Sequence, residues 1–336
     1  MSCSTATNVP PQDWVCRMKN CLLAVALVML SLLPSAGYSQ TTKESTGLRI
    51  EKSGDKFTVN MGDKLFTELH VGGFRRPILY PVMGPGQTPM TRNHPMKKDV
   101  EGEADDHPHH KSIWCAHGLI NEVSFWHEKG EIVVDKAKPI STMVFNGGAS
   151  GSISFHSNYK DADGKLICTD QTKITFHDLK GARAIDWDVT ISASEGELLF
   201  GDTKEGMMAI RTHSSLRIDK GATGMNSLGD KGKGIWGKPA EWVDYSGKVE
   251  GNDVGVAIFD HPSNLRHPTT WHARDYGLVA ANPFGQHHFQ GKPKGDGDFK
   301  VEKDGSVRFR YRFVFHAGDA ESAKVAELYK AFAKKE

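Results

Sequence analysis

The run Ile185-Asp186-Trp187-Asp188-Val189-Thr190-Ile191 alternates apolar and polar residues without a break. Residues 307–315 repeat the pattern, with Arg308, Arg310 and Arg312 set against Phe309, Tyr311 and Phe313. An extended chain points successive side chains to opposite faces, so each run has one face for a core and one for water. Half-solvated strands belong in antiparallel sheets, because parallel ones are buried on both sides. Shorter runs of the same kind occur at 152–155 and 172–176. Four more, at 48–50, 57–59, 65–69 and 77–80, are punctuated by Ser53-Gly54-Asp55 and Met61-Gly62-Asp63, which are strand and turn signals. Helical spacing recurs only at the end, where Asp319 can cap residues 320–335 and Val325, Leu328, Tyr329 and Phe332 form one apolar stripe. The pattern predicts an all-β fold, a two-sheet antiparallel β-sandwich with a C-terminal helix. Its 336 residues suit one large domain, 40–336. Residues 223–237, rich in Gly and Lys, read as a long mobile loop able to cover a cleft.

The N-terminus reads differently. Arg17 and Lys19 precede an apolar run, 21–33, and then Pro34-Ser35-Ala36-Gly37-Tyr38-Ser39. That order is a positive region, a short hydrophobic region and a small-residue cleavage site, so 1–39 reads as a leader, with Met18 as an alternative start. The expectation is export to the periplasm or beyond. No later run is long enough to span a bilayer. Without the leader, 40 basic side chains face 40 acidic ones, a balance with no footprint for nucleic acid or anionic lipid. Beyond the leader the cysteines are Cys115 and Cys168. They can pair in an oxidising compartment or stay as small buried thiols.

Candidate chemistry gathers in two segments. The first runs from Asp105-Asp106-His107-Pro108-His109-His110 through Trp114 and His117 to Trp126-His127-Glu128. The second contains Asp260-His261, His267, Trp271-His272-Ala273-Arg274-Asp275-Tyr276 and Asn282 to His288. Imidazoles titrate near neutral pH and serve as acid, base or metal ligand. His107 and His109, two residues apart, are the candidate ligands for a possible divalent metal such as zinc. The spacing lacks the second histidine of a zincin helix, and no serine-hydrolase elbow, P-loop or dinucleotide fingerprint is present. Indoles beside arginine, aspartate and asparagine suit a carbohydrate, whose C–H faces stack on rings while its hydroxyl pairs take hydrogen bonds. Gly201-Asp202-Thr203-Lys204-Glu205-Gly206 adds carboxylates at a strand end.

These segments, with Pro85 to Arg92, Trp236-Gly237-Lys238, Trp242 to Gly247 and 258–285, resemble the DUF6807 family over most of the chain. The family is often labelled "methane oxygenase PmoA". The membrane subunit of that enzyme is a bundle of transmembrane helices, and nothing beyond this leader can span a bilayer, so methane oxidation is not expected. The resemblance implies a galactose-mutarotase-like sandwich and carbohydrate chemistry by analogy. The resulting expectation is a secreted enzyme acting on a sugar or glycoside, by proton transfer at carbon or by glycosidic cleavage. His110, His117, Glu205 and His272 are the candidate catalytic groups. Arg92, Trp126, Arg211, Lys238, Trp271, Arg274 and Asn282 are the candidate substrate-binding groups, with Trp126 and Trp271 as stacking platforms. A non-catalytic carbohydrate-binding protein and a metal-dependent enzyme remain open as alternatives.

Overall fold

The alternating strands assemble into two antiparallel sheets packed face to face. A computed structural model describes residues 47–334, and the leader expected at 1–39 lies outside them. The first sheet has eight strands in the spatial order Leu48–Ser53, Lys56–Met61, Lys64–His70, Ile78–Val82, Ile113–Cys115, Met208–Arg211, Leu278–Asn282 and Thr270–Ala273. The second is built around four long strands, Ser150–Lys160, Leu166–Leu179, Ala182–Ser192 and Ser306–Ala317, extended by Asn252–Asp260, Trp242–Val249 and shorter edge pieces.

The period-two runs are in register across the second sheet. Asp186 lies opposite Arg312, Asp188 opposite Arg310 and Thr190 opposite Arg308. The outer face therefore carries ion pairs, Arg312 to Asp186 and Arg308 to Asp188, each at 2.5 Å. The inner faces interdigitate: Phe66 of the first sheet meets Phe176 and Phe315 of the second edge-on, at 6.2 and 6.1 Å. One charged group sits inside this core. Asp170, on Leu166–Leu179, is buried and accepts a hydrogen bond from the Thr172 hydroxyl at 3.2 Å. Burial pushes its carboxyl up to about 7, against the opposing pull of hydrogen bonds such as that from Tyr159. Cys115 and Cys168 are both free and buried, and burial drives both thiols well above their ordinary range.

Two local expectations are corrected. The terminal helix spans only Val325–Ala333. Asp319 caps an isolated turn, accepting from the Ser322 N–H at 2.9 Å, and Lys324 then takes a left-handed conformation, φ 54°, that separates the turn from the helix. The helix buries Val325, Tyr329 and Phe332 against Ala184, Trp242, Phe259 and Val314 on the outer face of the second sheet. Residues 223–237 are not a loose cover. Thr223–Asn226 is a strand paired with Trp242–Val249, and Gly232–Ile235 is a 3-10 turn beside the edge strand Thr270–Ala273. Among the described residues no helix is long and apolar enough to cross a membrane.

Candidate functional site

Strand register decides which side chains can meet. Trp114 pairs with Ala209, Ala209 with Ala280, and Ala280 with His272. Directly paired residues share a face, so these four form one row across the first sheet. With neighbouring strands about 4.8 Å apart, the Cα atoms of Trp114 and His272 are roughly 14 Å apart. The two alanines keep the middle of the row low. Arg211 and Asn282 lie two residues beyond Ala209 and Ala280 and face the same way. Cys115, Met208, Ala281 and Trp271 form the neighbouring row, which faces the sandwich core.

The first histidine segment folds over one end of this row as a pile of rings. Tyr276 stacks on His107 at 5.3 Å, His107 on His110 at 4.7 Å, and His110 on Trp114 at 5.4 Å. Two buried arginines hold the pile. Arg92 donates to Asp106 at 2.5 Å and to the carbonyls of Ala104 and His107 at 3.2 and 3.1 Å. Arg211 donates to Asp106 at 2.9 Å and to His110 Nδ1 at 3.1 Å, and its guanidinium lies 4.6 Å from the Tyr276 ring. Since Nδ1 accepts, His110 is a neutral imidazole with its proton on Nε2. Burial, then His109 and Arg211, hold it well below its ordinary pKa. Although burial alone would raise the Asp106 carboxyl, Arg211 and Arg92 hold it below the usual range. A second anchor, Arg76, donates to the carbonyls of Phe125 and Trp126 at 2.9 and 3.0 Å and to that of His109. It binds both halves of the segment together and stacks on Trp114 at 5.3 Å.

His272 occupies the other end of the row. It is buried, neither ring nitrogen makes a hydrogen bond of ordinary geometry, and its nearest charged partner is Glu205 at 3.9 Å from Nδ1. Burial pulls it down to about 4, with Glu205 opposing and Arg274 and Lys204 assisting. The Glu205 carboxylate, itself partly exposed, is 3.1 Å from the Lys204 ammonium. Gly118 brings this loop against the first segment. Its N–H donates to the Glu205 carbonyl at 2.5 Å, and a Cβ on Gly118 would come within 2.7 Å of that oxygen. Arg274, just past the strand end, is 5.4 Å from the Tyr276 ring. It also lines an open cleft of about 290 Å³ with Lys233, Trp236, Ala273 and Asp275. Trp236 packs on Phe289 at 5.3 Å and Phe289 on His272 at 6.1 Å, so cleft and imidazole share a wall.

The remaining candidates have other work. His117 is sealed in the interior: its Nε2 donates to the Gly201 carbonyl at 2.8 Å, and its ring packs on Phe284 at 4.5 Å. Trp126 and Trp271 are corrected as stacking platforms, since both are fully buried, and the Trp271 indole N–H bonds the Ala240 carbonyl at 2.9 Å. Both terminal nitrogens of Arg92 are taken up by the loop it holds. Asn282 likewise donates to the Thr203 carbonyl at 2.9 Å and accepts from Phe284 N–H at 2.8 Å, so it positions the Glu205 loop. Lys238 is exposed, and its side chain makes no ion pair among the described residues. His107 and His109 meet edge-to-face, 5.8 Å between centroids, with His107 turned to Asp106 and His109 to His127. Among the described residues no three or more His, Cys, Asp or Glu side chains are grouped to hold a metal ion, so the proposed pair lacks a third ligand. The second segment also divides. His267 bonds Asp260 at 2.7 Å and His261 packs on Phe332, both beside the terminal helix rather than in this row.

Sequence reasoning passed over Asp106, Tyr276 and Arg76. Asp106 and Tyr276 stand inside the two quoted segments, which was the available signal. Arg76 lies in a turn with no local mark of its role.

The family described as "Family of unknown function (DUF6807)" matches residues 56–330. Among curated proteins no match is found. Several solved structures are similar at low identity. An α-galactosidase from Lactobacillus brevis is 8% identical, with TM-score 0.43, covering 85% of this chain and 42% of its own. The GH36 α-galactosidase AgaB from Geobacillus stearothermophilus is 9% identical, with TM-score 0.41, covering 82% and 42%. A galactose mutarotase-like protein from Lactobacillus casei is 9% identical, with TM-score 0.33, covering 80% and 100%. The chain thus spans about two fifths of the length of these α-galactosidases.

Proposed function

Because the chain belongs to the DUF6807 family, a family of unknown function, its activity has to be read from side chains, and we propose that it is an exported enzyme that moves a proton on a sugar or glycoside. His272 is the general base and Glu205 its partner carboxylate. Arg211 and Arg274 bind hydroxyl or oxyanion groups beside Tyr276, and the cleft at Trp236 admits the substrate.

One observation carries this reading. A buried polar group without well-formed hydrogen bonds is costly and uncommon, yet neither ring nitrogen of His272 has a partner of ordinary geometry, the Lys204 main chain offering a poor one, and the ring lies 3.9 Å from a carboxylate. A bound ligand that supplies the missing partners accounts for that cost. Held near pKa 4, the imidazole is neutral at physiological pH and able to accept a proton. The small side chains of Ala209 and Ala280, both fully buried, separate it from Trp114. Burial removes Trp126 and Trp271 as the platforms a carbohydrate-binding module would use, and leaves Trp236 in the wall of the cleft.

The test is turnover. Wild type, His272→Ala and Glu205→Gln are incubated with a panel of glycosides in D2O and followed by NMR for deuterium uptake at carbon or for cleavage. Loss of about 100-fold or more is expected in His272→Ala, the usual scale of a general base. Unchanged turnover in that variant refutes the assignment.

A further inference from the structure

The charges around Tyr276 do not balance. Arg92 and Arg211, both buried, share the single carboxylate of Asp106. Arg76 and Lys111 share Glu128, at 3.6 and 2.5 Å. Lys204 is matched by Glu205. Asp275, the carboxylate next to Arg274, is 3.0 Å from Lys233, and Arg274 itself makes no ion pair among the described residues. Arg217, the next cation outward, is paired with Asp219. Six cations therefore face three carboxylates around the ring pile and His272. Two further carboxylates are held by main-chain N–H groups, Glu103 by Asn93 and His94 at 3.0 Å and Asp202 by His287 and Gly297 at 3.1 and 3.0 Å; neither pairs with one of the six cations, and counting both still leaves an excess of positive charge.

Buried cations without a full share of counter-charge are expensive, and protein interiors ordinarily avoid them. Arg211 is buried and Arg274 partly exposed, and both lie against one ring. The guanidinium groups of Arg211 and Arg274 lie 4.6 and 5.4 Å from the centre of one ring, Tyr276, at the boundary between the His272 row and the open cleft. Planar forks of this kind match a carboxylate. We infer that the ligand is anionic, an acidic sugar such as a uronate or its glycoside, with its carboxylate between Arg211 and Arg274 at Tyr276.

The inference rests on the sugar reading above and gives it a reacting bond. A carboxylate neutralised by two guanidinium groups acidifies the C–H beside it. The proton of that bond moves to His272 and the bonding electron pair spreads onto the carboxylate; a solvent proton then adds to the opposite face of the same carbon while His272 releases its proton to water, which completes an epimerisation with no net change in protons. The neutral state of His272 and the excess positive charge serve the same step, since burial keeps the imidazole unprotonated and Arg274, one of the two cations that attract the carboxylate, assists.

Calorimetric titration of the intact protein tests this with D-glucuronate, D-galacturonate and their methyl glycosides, each against its neutral parent, at 20 and 300 mM NaCl. The uronates are expected to bind at least tenfold more tightly than the neutral sugars, with a smaller margin at high salt. In Arg274→Gln, at a partly exposed position, both affinities should fall, the uronate's at least tenfold more than the neutral sugar's, so that the margin collapses. Equal affinity for both classes, or a margin that survives in Arg274→Gln, overturns the acidic-sugar inference and leaves the sugar reading standing. Binding of neither class overturns both.

Discussion

Replacing Asp170 with Asn isolates the cost of a carboxylate placed between two sheets. The folded-state pKa of about 7 lies roughly 3 units above the ordinary value of 3.8, and each unit is worth about 1.4 kcal/mol. Between pH 4 and 7 the folded chain holds a proton that the unfolded chain has released, so this group's contribution falls as pH rises through that window and is fully lost above it. The difference amounts to about 4 kcal/mol at most, an upper figure because the site can relax or admit water when the charge appears. Asp170→Asn keeps the shape, and its amide can bond the hydroxyls of Tyr159 and Thr172 after they rotate. Urea unfolding of wild type and variant at pH 4, 5, 6, 7 and 8 gives the difference in stability at each pH. Buried histidines act in the opposite sense over part of this range, but they are present in both proteins and cancel in the difference. Asp170→Asn should gain a few kcal/mol on wild type between pH 4 and 8. A difference that stays flat to within about 0.5 kcal/mol would mean that Asp170 is ionised at little cost and that the core around it is wet.

Three further outcomes are expected. His117 is held near 4 by burial, so the unfolded chain binds its proton first and stability falls as pH drops from about 6.5 towards 4. His117→Asn should flatten that acid limb in denaturant titrations without displacing the pH–rate profile, and a displaced profile would return His117 to the chemistry. Cys115 and Cys168 should be unreactive towards a disulfide reagent in the native protein, and both should react after unfolding without reductant. A failure of both to react would reveal a disulfide. Ala280→Leu overpacks the fully buried row beside His272, at a folding cost of about 1–3 kcal/mol, and by displacing that imidazole should weaken ligand binding at least tenfold by calorimetry. Undiminished binding would place the ligand elsewhere.

Period-two alternation by itself determined most of the architecture, because a strand with one wet face has few places to go. The same logic placed the arginines of residues 307–315 outward, opposite Asp186 and Asp188. Composition marked the histidine segments, since imidazoles, carboxylates and arginines crowd where a core cannot use them. Helix length was less legible: apolar spacing ran from 320, but Lys324 turns left-handed and the helix starts after it.

Side-chain roles were decided only by the tertiary structure. Trp271 and His272 are neighbours in the chain, yet a strand sends one into the core and the other to the site. His117 belongs to the same segment as His110 and is sealed behind Phe284. Neither outcome follows from residue type, because the facing of each side chain depends on register with strands far away in sequence. The excess of positive charge is likewise invisible in a chain with 42 basic and 41 acidic residues. It exists because folding assigns one carboxylate to two guanidinium groups, and only proximity in space can make that assignment.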